Sequence, residues 1–134
     1  MYLLDTCTVS DFTKGESNTL IRLKQLSPLD VKISAITAHE LRYGLLRSSQ
    51  MRKATREAVL GFLNDVETIP FTNDEASVAA RIRVDLQKAG QPIGAYDLLI
   101  AATALANDFT LVTSNEREFV RVTDLTIENW RLAN

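Results

Sequence analysis

Near the start of the chain three apolar residues, Tyr2, Leu3 and Leu4, run without interruption into a carboxylate, Asp5. No polar residue alternates with them, so the run predicts a short strand covered on both faces, near the centre of a sheet flanked by helices. In an open α/β sheet, ligands bind in the crevice beyond the carboxyl ends of the strands, and Asp5 falls there. A helix that follows directly would give Asp5 a second use as an N-cap. The strand alone leaves both roles open.

The remaining pattern alternates helix and strand signals. A short helix is predicted over 8–12, stopped near Lys14-Gly15, and another over 18–26 after a Ser17 cap and before Pro28. Val31 to Ser34 is rich in β-branched residues and predicts a second strand. Thr37 and Glu40 have the spacing of a capping box for a helix that runs to about Leu46, which would account for Glu40 without any ligand. A helix from Gln50 to about Leu63 follows, then an extended segment over 67–71 that Pro70 confines to an edge or an end. Asn73 is expected to cap the longest helix, to about Ala89. Residues 91–97 form a turn that opens an apolar, buried helix through Ala106, with Asp97 in its first turn. Phe109 to Thr113 is the clearest strand after the first, 125–128 is expected to be an edge strand, and Trp130 packs the tail onto the body. The expected architecture is α/β, a three-layer α/β/α sandwich with a short, mostly parallel sheet of four or five strands.

Composition excludes several classes of function. A chain of 134 residues is expected to be one domain, 1–134, with a core that needs no staples. A single cysteine rules out an internal disulfide or a thiolate metal cluster, and a single histidine rules out two-histidine acid–base catalysis. No stretch is long and apolar enough to span a membrane or act as a signal peptide, so the cytoplasm is the expected compartment. The formal charge of −2 argues against a uniformly basic, nucleic-acid-coating surface, though not against a local basic stripe. Neither of the glycine-rich phosphate loops occurs.

What stands out is the position of four acids. Asp5, Glu40, Asp97 and Glu118 each lie at or just past the boundary of a predicted element, and in a parallel sheet those boundaries share one edge. Carboxylates gathered there would repel one another unless a divalent cation neutralised them. An oxygen-only set suits Mg²⁺ or Mn²⁺, and such a centre is suited to phosphodiester hydrolysis. Asp5 and Asp97 are the expected direct ligands, with Glu40 a ligand or a holder of a metal-associated water and Glu118 a further catalytic candidate. The competing explanation is that helix starts attract acids in any protein. Arg42, Arg117 and Arg121 are candidate contacts to an RNA backbone or to an acidic protein partner. The basic run Arg52-Lys53-Arg56 reads as a solvated face, His39 as surface or packing, and Cys7 as a buried small residue.

Taken in order, Leu3-Leu4-Asp5-Thr6-Cys7, Glu40 in its Thr-Ala-His-Glu-Leu setting, Pro92 to Ala101 and Leu111 to Phe119 with Trp130 give the chain a marked likeness. It resembles the PIN-domain ribonucleases, and within them the VapC toxins of bacterial toxin–antitoxin pairs. That resemblance implies a Mg²⁺- or Mn²⁺-dependent acidic site that cuts RNA, with family acids at Asp5, Glu40 and Asp97 and with Thr6 orienting Asp5 or a water. It also implies a VapB-like antitoxin across the groove, a homodimer, and a transfer RNA target, the anticodon loop of the initiator tRNA being the family expectation. Where many relatives carry a fourth aspartate this chain has Asn115, leaving Glu118 to supply the missing charge. Where they carry asparagine it has Cys7. Two other readings use the same residues: a DNA-directed nuclease, and a protein-binding module whose acids are only caps and surface charges.

Overall fold

In the computed structural model, residues 1–132 are described. Five strands, β1 (Tyr2–Leu4), β2 (Val31–Ser34), β3 (Glu67–Ile69), β4 (Thr110–Val112) and β5 (Ile127–Glu128), form one sheet in the order β3-β2-β1-β4-β5. Every pairing is parallel, with Tyr2 opposite Val31 and Thr110, and Leu4 opposite Val112. The uninterrupted apolar strand therefore holds the middle of the sheet, and Pro70 follows the last residue of an edge strand, where its missing N–H disturbs no ladder.

Among the described residues seven α-helices cover the sheet: α1 (Thr6–Lys14), α2 (Ser17–Lys24), α3 (Ala35–Arg47), α4 (Lys53–Asp65), α5 (Asn73–Lys88), α6 (Ala95–Ala106) and the single turn α7 (Glu116–Phe119). Strand side chains alternate between the two faces. Leu3 and Leu111 pack with Ile82, Leu86, Ile100 and Phe119 of α5, α6 and α7. Leu4 and Val112 turn the other way, onto Val9, Leu41, Val59 and Phe62 of α1, α3 and α4. Trp130 closes that second layer, 5% exposed and edge-on to Tyr2 with ring centroids 5.5 Å apart.

The helix starts differ from the sequence expectation in an instructive way. The first helix begins at Thr6, not Thr8, because Asp5 caps it at once; the next is capped by Glu16 and not by Ser17. Ser34, not Thr37, caps α3. A capping box does form, but at Thr72 and Glu75 on α5, where Asn73 had been the expected cap. The fourth helix starts at Lys53, three residues later than Gln50, and α7 is a turn the pattern did not predict. In each capped case an acceptor placed one to three residues earlier satisfies the exposed N–H groups, and periodicity alone cannot tell which of several neighbouring acceptors will do so. Gly15 ends α1 at φ +86°, where its N–H reaches the Phe12 carbonyl at 3.1 Å.

Leu3 is wholly buried in the central strand. Leu3→Ala is expected to lower unfolding free energy by about 2–5 kcal/mol, measured by urea denaturation; a loss below about 1 kcal/mol would mean that the layer between β1 and α5–α6 is not close-packed.

Candidate metal centre

The central strand delivers Asp5 to the start of α1. Its N–H donates to the Val112 carbonyl at 3.0 Å, and its Oδ1 accepts from the Thr8 N–H at 2.8 Å. Capping thus occupies one carboxylate oxygen. Burial pushes the Asp5 carboxyl above its ordinary value, hydrogen bonds from Thr113 and Thr8 pull against this, and the charge of Asp11 adds to the rise.

Glu40 has no capping duty. The Ser34 Oγ accepts from the Thr37 N–H at 3.0 Å, so the box expected between Thr37 and Glu40 does not form and Glu40 lies in the second turn of α3. There it accepts from the Thr6 hydroxyl at 2.6 Å, while the Thr37 hydroxyl stands 3.3 Å from the same Thr6 oxygen. One hydroxyl proton cannot serve both, and the carboxylate is the stronger acceptor. Thr6 therefore orients Glu40; it was expected to orient Asp5 or a water.

The other two acids meet over Gly94. A Cβ built on that glycine would lie 3.6 Å from Glu118 Oε1 and 3.8 Å from Asp97 Oδ2. The Gly94 N–H donates to Glu118 Oε1 at 2.7 Å, and the Asn115 amide donates to Oε2 at 2.6 Å. Burial, a hydrogen bond shared with Glu118, and the charges of Glu118, Asp5 and Glu40 together push Asp97 up to about 7. Burial works the same way on Glu118, but the donors at Gly94, Asp97 and Asn115 and the Arg121 guanidinium outweigh it and hold that carboxyl below its ordinary value. Asp97 and Glu118 therefore titrate as a pair in which Asp97 takes a proton more readily than Glu118. Asn115 offers its nitrogen to Glu118 and so organises that acid.

Asp5, Glu40, Asp97 and Glu118 thus belong to one electrostatic neighbourhood at the carboxyl edge of the sheet, each engaged by a nearby hydrogen-bond partner. Among the described residues no three His, Cys, Asp or Glu side chains stand as a closed ligand set. The chemistry of the donors nonetheless fits a hard divalent cation: they are carboxylate oxygens, partly desolvated, whose charges add to the burial that raises Asp97.

Around this edge, Arg121 donates to the Pro92 carbonyl at 3.1 Å, and Arg42 and Arg117 are exposed. Arg56 is no part of a solvated face, because its guanidinium binds the carbonyls of Leu45 and Ser48. Cys7, expected to pack, is exposed; desolvation at the sulfur, then the charges of Asp5, Asp97 and Asp11, hold its thiol above the ordinary range. On the helical wheel it falls away from Thr8 and Val9, which take the buried side of α1. Two contributors went unnoticed in the sequence. Thr113 is fully buried beside Asp5, and its signal was register: it succeeds β4 as Asp5 succeeds β1. Gly94 contributes a backbone N–H, which no side-chain pattern reveals.

Residues 2–125 match the PIN domain family. Ribonuclease VapC2 of Rickettsia felis is 34% identical over 132 residues, covering 97% of this chain and 98% of its own. The tRNA(fMet)-specific endonuclease VapC of Salmonella typhimurium is 32% identical over 129 residues, 96% of this chain and 97% of its own. The crystal structure of VapBC2 from Rickettsia felis bound to a DNA fragment from their promoter matches with a TM-score of 0.87 and 33% identity, over 96% of this chain and 98% of that one.

A carboxyl whose pKa is raised on folding takes up a proton as the chain folds, so its contribution to stability falls as pH rises from its unfolded value towards about 7. Asp97→Asn keeps a donor towards Glu118 and removes this penalty. The metal-free variant is expected to melt higher than the parent at about pH 8, with the gain shrinking towards about pH 5, as read by thermal unfolding in EDTA. An equal difference at both pH values would show that Asp97 is not strained by its neighbours.

Proposed function

Because the chain belongs to the PIN domain family, and within it to the VapC-type toxins, we propose that residues 1–134 act as one Mg²⁺- or Mn²⁺-dependent endoribonuclease unit that cleaves transfer RNA and is neutralised by a VapB-like antitoxin. The observation that carries this reading is the gathering of four carboxylates from four separate segments at one edge of the sheet. A protein-binding module would have no reason to collect them there against their mutual repulsion.

In this reading Asp5 and Asp97 hold the ion, Glu40 is aimed by the Thr6 hydroxyl, and Glu118 is held ready by Gly94 and Asn115. Mg²⁺ or Mn²⁺, when bound, supplies an activated water and neutralises charge on the scissile phosphate. Asp97 would have to be deprotonated to serve as a ligand, and its neighbours Glu118, Asp5 and Glu40 are what raise its affinity for a proton beyond the effect of burial. Thr8 and Thr113 keep Asp5 in place, and Arg121 sits close enough to Glu118 to influence its charge. Arg42 and Arg117 are surface contacts for the RNA backbone or the antitoxin.

The name of the Salmonella relative supports tRNA as the substrate class, with the anticodon loop of the initiator tRNA as the proposed target. Complexes such as VapBC2 support an antitoxin partner, and a homodimer is part of the proposal. Among the described residues no helix is long and apolar enough to cross a membrane, and we infer a cytoplasmic toxin.

Asp5→Asn retains a capping oxygen for Thr8, so the fold and antitoxin binding should survive it. Cleavage of tRNA in Mg²⁺ or Mn²⁺ should fall by more than the roughly 10–100-fold that loss of a supporting residue around a metal costs. Parent-like cleavage by purified Asp5→Asn would sink the role assigned to this residue. Faster cutting of single-stranded DNA than of RNA would transfer the same centre to a DNA-directed nuclease.

A further inference from the structure

We propose that His39 and Tyr96 form a stacking platform for an unpaired RNA base beside the acidic centre; the inference rests on the nuclease reading. Each residue directly precedes one of the acids, His39 before Glu40 on α3 and Tyr96 before Asp97 on α6. The two rings meet edge to face, with centroids 6.0 Å apart and planes 85° apart. Tyr96 is 51% exposed and His39 is also exposed. Among the described residues neither the tyrosine hydroxyl nor the imidazole takes part in a protein hydrogen bond, and neither ring belongs to the buried core, so both faces are open to a ligand.

Perpendicular rings form a corner. A flat base laid on one ring meets the other at its rim, which suits the preference of aromatic groups for stacked and edge-on contacts. Successive side chains on a helix diverge by about 100°, so Tyr96 and His39 lie to one side of the faces that carry Asp97 and Glu40, where a base beside the phosphate, and not the phosphate itself, would meet them. Charge supplies a second argument. With a net charge of −2 and an acidic centre, the protein cannot gather RNA by bulk electrostatic attraction. Stacking needs no charge, and unpaired loop bases are the parts of an RNA that aromatic side chains can reach. An antitoxin side chain could use the same corner. RNA is the better match, because His39 and Tyr96 stand next to Glu40 and Asp97 in the chain, whereas the exposed Tyr43 and Leu46 lie further along α3.

The test compares Tyr96→Ala, Tyr96→Leu and Tyr96→Phe in the full chain, after thermal melts show that each is folded. Three readings are taken: steady-state tRNA cleavage in Mn²⁺, quenching of a 2-aminopurine base in a single-stranded oligoribonucleotide bound in Ca²⁺, and binding of a VapB-like antitoxin. Alanine and leucine are expected to raise KM by roughly five- to hundredfold, to leave kcat within about twofold, and to lose the quenching, while phenylalanine behaves as the parent. His39→Ala is expected to do the same more weakly. Leucine with parent-like KM and quenching would overturn the platform, as would a loss confined to kcat. A variant that weakens only antitoxin binding would overturn it too, assigning the corner to a protein partner. If the parent cuts no RNA, the nuclease reading fails, and the quenching still decides whether a base stacks on Tyr96.

Discussion

Like charges confined to one edge of a parallel sheet are the constraint on which the rest of this structure turns. Every strand releases the chain on the same side, so the segments after β1, β2 and β4 are brought to a common rim. Those segments carry Asp5, the helix that bears Glu40, and the turn that bears Glu118, while the first turn of α6 adds Asp97. A topology that reversed any of these strands would have scattered the acids. The cost of bringing them together shows in Asp97, whose carboxyl is driven up to about 7 by burial and by the acids around it.

Hydrogen bonding determines how the molecule tolerates this crowding. Three of the acids are matched with specific donors: Thr8 N–H with Asp5, the Thr6 hydroxyl with Glu40, and the Gly94 N–H and Asn115 amide with Glu118. These donors also fix the direction in which each carboxylate points. Further out, Asp11 is taken up by a bidentate pair with Arg131 at 2.6 and 2.8 Å, which ties the segment after β5 to α1 and tempers one more negative charge near Asp5.

Much of the architecture was legible from residue pattern, since strands buried on both faces announce themselves as unbroken apolar runs. Tyr2-Leu3-Leu4 did so and lies at the centre; Pro70 marked an edge and sits just past one. Helix starts were less legible, because Asp5, Glu16, Ser34 and Thr72 each had a neighbour of similar capping power. Misplacing the cap of α3 had a functional consequence. It gave Glu40 a structural duty that Ser34 performs, and so hid the contact between Thr6 and Glu40. Cys7 was misjudged because thiols are usually buried, whereas Thr8 and Val9 are the residues α1 turns inward. His39 looked like an incidental surface residue until α3 and α6 brought it against Tyr96.

Local pattern by itself determined the α/β alternation, the central strand, and which four acids stood at element boundaries, because burial periodicity and chain position are properties of neighbouring residues. Only tertiary structure decided that Thr6 would meet Glu40 and Gly94 would meet Glu118, that Asp97 would take a proton more readily than Glu118, and that the rings of His39 and Tyr96 would meet edge to face. Those outcomes depend on groups far apart along the chain, 24 residues between Gly94 and Glu118 and 34 between Thr6 and Glu40, and on how far packing excludes water from them. Desolvation and through-space charge have no one-dimensional signature, so they become visible only when the chain is folded.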